Sequence, residues 1–272
     1  MFLFSKMQST GNDFIVLNYL ESKLNYSYKL LSSFLCDRRF GVGADGLLVI
    51  DKSDIADFKM RIFNKDGSEA EMCGNGVRCF AKYVYEKGLI NKKEILIDTL
   101  SGIKKVFLEI EGSTVISSKV NMGTFNFEKA KIPMIYEENQ EKVKIDIFDT
   151  YSVSIGNPHT VCFVENVDKL DINKYGTLIE NYKYFPNKTN VEFVKILNNT
   201  TINTRVWERG VGETLSCGTG AVASVVVSNR YKNVEKNCKV EMKGGILEVE
   251  ILDSSVFLRG PAEFVFEGKI DI

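Results

Sequence analysis

Two cysteines stand in the same short frame, Cys73 in MCGNG and Cys217 in SCGTG. Each is followed by a run that reads as a helix. A thiol at a helix start meets free amide N–H groups and the positive end of the helix dipole, and both favour thiolate. The glycines beside it let the backbone approach a ligand, and the exposed amides can hold a carboxylate or phosphate. Two such thiols suit one reaction in particular. If one is thiolate and the other thiol, one removes a proton from a stereocentre and the other returns a proton to the opposite face. A model thiol pKa of about 8.5 keeps one proton across the pair available near neutral pH. The carbanion that forms beside a carboxylate needs its charge stabilised, and helix N-termini aimed at that carboxylate would do so. No pyridoxal lysine is required. With a single histidine in the chain, a site needing two is excluded, and no CxxC pair writes a zinc ribbon or a thioredoxin-type site. Neither a cofactor nor a metal is expected.

The two frames belong to an internal repeat. RIFNKDGSEAEMCGNG (61–76) aligns without a gap on RVWERGVGETLSCGTG (205–220), 144 positions later. Arg61 matches Arg205, Glu69 matches Glu213, Cys73 matches Cys217, and Gly74 and Gly76 match Gly218 and Gly220. Gly11-Asn12 reappears as Gly156-Asn157 at an offset of 145, and GIKKVFLEI from 102 is echoed by GILEVEIL from 245. Three matches in the same order predict a duplicated domain. The halves are placed at 1–120 and 121–263, with the strand-like tail 264–272 free to return to the first. The boundary NMGTFNFEKAKIP carries Gly123 and Pro133 as punctuation.

Most of the pattern is strand: FKMRIF (58–63), KVEM (239–242) and LEVEI (247–251) alternate. Two helices stand out, one after each CGxG. In the first, Val77, Phe80, Ala81, Val84 and Tyr85 make an apolar stripe, with Gly88 as a C-cap. In the second, residues 221–227 are apolar nearly all round, as in a helix wrapped by a sheet. The fold class is therefore α/β (α+β): two pseudo-symmetric domains, each a curved mixed or antiparallel sheet around a central helix, with the active site in the cleft between them.

Composition removes other classes. The chain has 272 residues, 44% of them hydrophobic and 26% charged, with a net charge of -1. That is an ordinary globular balance, long enough for a sizeable core and without a general polyanion-binding field. Nucleic-acid and membrane partners are not expected, since no apolar run approaches the roughly 18 residues of a membrane span. The opening MFLFSKMQSTGNDF is too soon polar for a secretion signal, so six cysteines read as thiols of a cytoplasmic protein.

At this point the sequence resembles the diaminopimelate epimerase family, the cofactor-independent enzymes that interconvert LL- and meso-2,6-diaminopimelate. The resemblance covers nearly the whole chain. It rests on KMQSTGNDF (6–14), RRFGVGADGLL (38–48), RIFNKDGSEAEMCGNGVRCFA (61–81), IGNPHT (155–160), FPNKTNVEFV (185–194) and RVWERGVGETLSCGTGA (205–221). It implies that Cys73 and Cys217 are the two acid/base thiols, with Cys217 the base towards one isomer. By similarity, Gly74, Asn75, Gly218 and Thr219 offer helix-start contacts to the reacting carboxylate. Asn64, Asn157, Asn190 and Arg209 would hold the distal amino-acid end, and Asn12 would line the same cleft. Glu208 and His159 would stand near the reacting amine and thiols and tune their charge. The residue types fit these roles. Arg grips a carboxylate through two N–H groups, and Asn offers a donor and an acceptor to a zwitterion. A role in lysine and cell-wall precursor biosynthesis and a homodimeric state follow from the same resemblance. Two departures stand out. Ser9 occupies a position where Gly is common, and Gly46 one where some members carry a substrate-reaching Gln.

Other readings of these residues exist. The chain could racemise a different amino acid, cycle a Cys73–Cys217 disulfide as a redox switch, or bind an amino acid without turning it over. Taken singly, each cysteine could be a buried structural thiol; the repeat and its flanking motifs weigh against that. Cys36, Cys79, Cys162 and Cys238 carry no motif and are read as structural, and Trp207 as core.

Overall fold

The computed structural model describes residues 2–20, 26–135 and 141–271. The chain divides into two units. The first comprises Met1–Asn121 and Arg259–Ile272, and the second Met122–Leu258. The last residue of the expected tail, Ile272, lies outside the described residues.

In the first unit, strand Phe2–Ser9 pairs antiparallel with Glu263–Ile270 on one side and Asn12–Asn18 on the other. Asn12–Asn18 runs parallel to Gly46–Asp51, which pairs antiparallel with Phe58–Asn64. Phe58–Asn64 runs parallel to Glu94–Thr99, and antiparallel strands Gly102–Glu111 and Thr114–Thr124 complete the sheet. The second unit repeats this plan strand for strand. Phe148–Ser154 pairs antiparallel with Pro158–Phe163, which runs parallel to Asn190–Asn198. Thr201–Glu208 then pairs antiparallel, and Asn237–Met242 lies parallel to it, followed by antiparallel Gly245–Leu252. Both units are mixed sheets of the same topology, so the duplication seen in sequence is a duplication of structure.

Among the described residues there are four α-helices: α1 (Tyr28–Leu35), α2 (Gly74–Glu86), α3 (Ile172–Glu180) and α4 (Gly218–Lys232). The two expected from sequence, α2 and α4, are the central ones. α2 packs on strands from Phe2–Ser9 across to Gly102–Glu111, and α4 on strands from Phe148–Ser154 to Gly245–Leu252, so each sheet wraps its helix. α4 is buried from Gly220 to Ser228 and ends at Asn233 in the left-handed conformation (φ 55°). α2 ends just before Gly88 (φ 70°), whose N–H donates to Tyr85 O. The stripe expected for α2 understates its burial. Arg78 and Lys82 are 0% and 3% exposed, and each has hydrogen-bond acceptors to make that tolerable.

α1 and α3 carry no clear signal in the sequence. They form the crossovers of the parallel pairs and cover the other face of each sheet. Leu31 and Leu35 pack on Ile15, Leu47, Val49 and Phe63. Ile172 and Ile179 pack on Cys162, Val191 and Phe193. Their starts are again 144 positions apart, without sequence identity. Between the layers, strands such as GLLVID (46–51) are buried on both faces and read as continuous apolar runs.

Candidate active site

In the first unit Cys73 is the N-cap residue of α2, in extended conformation (φ -139°, ψ 118°), and makes no capping bond with its side chain. Its Sγ lies 3.5 Å from Asn12 Oδ1, which also accepts from Asn75 Nδ2 at 3.3 Å. Asn12 Nδ2 donates to Asp45 at 2.8 Å. Asp45 is held by Arg38, which also bridges to Asp13, and Asp13 pairs with Lys6 at 2.6 Å. Burial works to raise the Asp13 pKa, but the bonds from Arg38 and Lys6 override it and hold the carboxyl well below its usual range. The amide of Asn12 is thus fixed with its oxygen towards Cys73.

Beneath the helix start lies Arg78. It donates to Asn75 Oδ1 and Ser9 Oγ, both at 2.7 Å, and to Gly74 O at 3.2 Å. Ser9 Oγ in turn donates a hydrogen bond to Pro261 O at 2.6 Å. The serine that departs from the family pattern therefore joins α2, the first strand and the returning chain. Burial lowers the Arg78 pKa to about 10, and the neighbouring Cys79 and Cys73 act in the opposite sense. Asn64 ends its strand opposite Gly46; it is exposed and donates to Ser68 Oγ at 3.0 Å.

In the second unit Cys217 is the N-cap residue of α4 (φ -132°, ψ 121°). Its Sγ accepts from the Gly220 N–H at 3.4 Å and lies 3.4 Å from Thr219 Oγ1. Glu208, half-buried at the end of its strand, bonds to the Cys217 thiol and accepts from Thr214 Oγ1 at 2.5 Å. Asn190 donates to Pro158 O at 2.8 Å and accepts from the Arg209 N–H at 2.9 Å. The Arg209 side chain is exposed and donates to Asn187 O. His159, fully buried, lies 3.0 Å by Nε2 from Asn157 Oδ1 and 2.7 Å by Nδ1 from Glu192 Oε1.

The expectation of a thiol with lowered pKa at each helix start is corrected at Cys217. Burial pushes this thiol well above its ordinary value, and the charges of Glu208 and Glu192 push the same way. The bonds from Thr219 and the Gly220 N–H offset only part of this. Burial also raises Glu208, partly countered by Thr214 and His159. Removing the Glu208 charge therefore lowers the pH at which Cys217 ionises. In the Cys73→Ala background, Glu208→Gln is expected to shift the pH profile of iodoacetamide alkylation at Cys217 to lower pH, read by mass spectrometry. An unmoved profile would show that this carboxylate does not govern the thiol.

At each helix start some of the predicted residues meet, Asn12, Gly74 and Asn75 with Cys73 and Glu208, Gly218 and Thr219 with Cys217; His159 contacts Asn157 and Asn190 contacts Arg209, while Asn64 bonds Ser68 instead. Sequence reasoning missed Glu192, Arg78, Thr214 and Asp45. Only Glu192 left a signal, as the acidic residue in the otherwise apolar strand run VEFV. The remaining cysteines are buried, and burial pushes the Cys36 thiol up to about 12 and the Cys238 thiol up to about 11.

The fold is that of the two-domain epimerases and racemases. A phenazine biosynthesis protein of the PhzF family from Bacillus anthracis is similar at a TM-score of 0.72, with 17% identity and 99% of each chain covered. A hydroxyproline epimerase from Agrobacterium vitis is similar at a TM-score of 0.70, with 14% identity, covering 98% of this chain and 91% of the other. The family model described as Diaminopimelate epimerase matches residues 4–128 and 151–265. Diaminopimelate epimerases from Caldanaerobacter subterraneus and Methanococcus maripaludis are 48% and 45% identical to this chain over 99% of both lengths. The chain belongs to the diaminopimelate epimerase family.

Proposed function

We infer that this protein is an isomerase that interconverts LL- and meso-2,6-diaminopimelate, in lysine and cell-wall precursor biosynthesis. The observation that carries the reading is the pair of matched helix-start thiols, Cys73 and Cys217, in a chain 48% identical to a relative of that name along its length. One thiolate takes the α-hydrogen as a proton; the C–H bond breaks, an S–H bond forms, and the electron pair moves into the adjacent carboxylate. The other thiol then gives its proton to the opposite face of the α-carbon. The helix-start residues Gly74, Asn75, Gly218 and Thr219 receive the reacting carboxylate, whose charge grows in the transition state. Asn12, Asn64, Asn157, Asn190 and Arg209 hold the rest of the substrate, while Glu208 and His159 adjust charge beside Cys217. The distal set favours diaminopimelate over a smaller amino acid.

No helix among the described residues is long and apolar enough to cross a membrane. The family resemblance supports a cytoplasmic homodimer with the small-molecule substrate as its partner and no nucleic-acid role. The deciding measurement is epimerisation of LL-diaminopimelate in deuterated, reducing buffer, with proline and glutamate offered in parallel. Inversion of diaminopimelate with one deuterium gained at the inverted α-carbon is expected. Label in proline or glutamate but not in diaminopimelate would refute the substrate assignment. Disulfide cycling with no exchange in any amino acid would refute the enzyme.

A further inference from the structure

The buried carboxylate of Glu192 has no place in the two-thiol scheme, yet it is among the least expected side chains in the molecule. It is 0% exposed, in a strand whose other face packs Val191 and Phe193 against α3. Its own face looks at the start of α4. A Cβ built on Gly220 would meet Glu192 Oε1 at 2.9 Å, Cys217 Cβ at 3.3 Å and Val206 Cγ2 at 3.3 Å. A Cβ on Gly76 would meet Leu48 Cδ2 at 3.2 Å, Ile62 Cδ1 at 3.3 Å and Cys73 Cβ at 3.6 Å. The two environments superpose residue by residue under the repeat. Where the first unit places a fully buried leucine under its catalytic helix, the second places a carboxylic acid. Burying leucine is favourable whereas burying that group is penalised, so packing alone does not account for it.

Among the described residues its hydrogen-bond partner is His159. Oε1 lies 2.7 Å from the ring Nδ1, while Oε2 is buried without a partner. The other ring nitrogen, Nε2, faces the carbonyl oxygen of Asn157 and so must carry a proton to donate. The titratable groups that act on this ring are Glu192 and Glu208, and both also act on Cys217. The 2.7 Å contact between Nδ1 and Oε1 is a hydrogen bond that holds the ring against the carboxyl group.

The result at Asn157 is an amide whose oxygen is taken by the ring and whose Nδ2 points to the other side. Asn12, its repeat partner, is held the opposite way. There Asp45 takes the Nδ2, and the oxygen is turned towards Cys73 and Asn75. Equivalent asparagines therefore present opposite poles, an acceptor in the first unit and a donor in the second.

We propose that Glu192 is a positioning residue: through the His159 ring it fixes the Asn157 amide with its NH₂ outward, as a donor for a carboxylate of the substrate. The proposal rests on the epimerase reading for the identity of that carboxylate, and on the Glu192–His159–Asn157 contacts for the rest. Glutamine at 192 can bond to either form of the ring and no longer dictates its tautomer. Leucine, the first unit's residue, removes the bond.

The test uses the fact that the chain has a single histidine. Its two ring ¹⁵N signals can be observed in labelled protein without assignment. In the native enzyme Nε2 is expected to be protonated in a single ring form. In Glu192→Gln and Glu192→Leu both ring signals should move towards those of a tautomer mixture. KM for diaminopimelate should rise about tenfold with a smaller change in kcat. Either readout unchanged in folded Glu192→Gln overturns the proposal. If the native enzyme fails to epimerise diaminopimelate, the epimerase reading falls, and a KM effect on the amino acid that it does turn over, together with the ring signals, decides the role of Glu192.

Discussion

Alanine at Cys73 or at Cys217 is expected to lower epimerisation about 10³-fold or more, since a positioned acid or base contributes about 10²–10⁴-fold and inversion needs one of each. The two variants should fail in a diagnostic way. A lone thiolate can take the α-hydrogen from the isomer presented to it and return a deuteron to the same face. Each single variant should therefore wash label slowly into one isomer with retention, and the favoured isomer should differ between them. The measurement is the stereochemistry and deuterium content of diaminopimelate recovered from each variant. Normal inversion by Cys73→Ala would end the two-thiol account. The alanines should leave the fold intact, because neither thiol is needed to fill its sheet. Cys73 is only part-buried, and Cys217, though buried, is the N-cap residue ahead of the apolar run of α4, where alanine removes a single sulfur atom.

The largest expected loss of stability belongs to Arg78. This guanidinium is fully buried, and the partners it bonds are all neutral: Ser9, Thr10, Gly74, Asn75 and Pro261. Methionine fills much of the same volume but leaves Asn75 Oδ1, Gly74 O and Ser9 Oγ without their donor in the interior. Each buried acceptor left unsatisfied costs about 1–3 kcal/mol. Arg78→Met should lower the urea midpoint by the amount that this implies, measured by circular dichroism. It should also lower kcat for LL-diaminopimelate, because Asn75 beside Cys73 loses its anchor. A midpoint within experimental error of the native one would mean that the network adds nothing to the fold.

The parts of this molecule that could be read from residues are those that repeat chemistry. The frame Arg–Glu–Cys-Gly-x-Gly marked both central helices, each starting just after its cysteine, whereas the boundary expected at 263 falls five residues earlier, after Leu258. The structure adds the reason the frame is retained: Arg61 bonds Glu69 as Arg205 bonds Glu213, and each pair staples the hairpin that leads into its helix. What escaped notice obeys a different logic. α1 and α3 are short, and their segments YKLLSSFL and INKYGTLIE share no residue at matched positions, so only the topology makes them equivalent. Arg78 and Glu192 escaped because charge in an amphipathic pattern is ordinarily assigned to the solvent face, whereas here hydrogen bonds hold it inside. The lowered thiol pKa inferred from a helix start was reversed at Cys217, where burial and two carboxylates outweigh two weak hydrogen bonds to sulfur.

The pairing of Phe2–Ser9 with Glu263–Ile270 has a consequence for biosynthesis. The second unit is one unbroken stretch of chain, whereas the first draws on both ends. As the polypeptide leaves the ribosome, residues 122–258 can assemble while the earlier 121 residues still lack the strand Glu263–Ile270 and the Pro261 carbonyl that accepts the Ser9 hydrogen bond. The half made first is thus the half completed last, and its sheet stays unfinished until Glu263–Ile270 has been made.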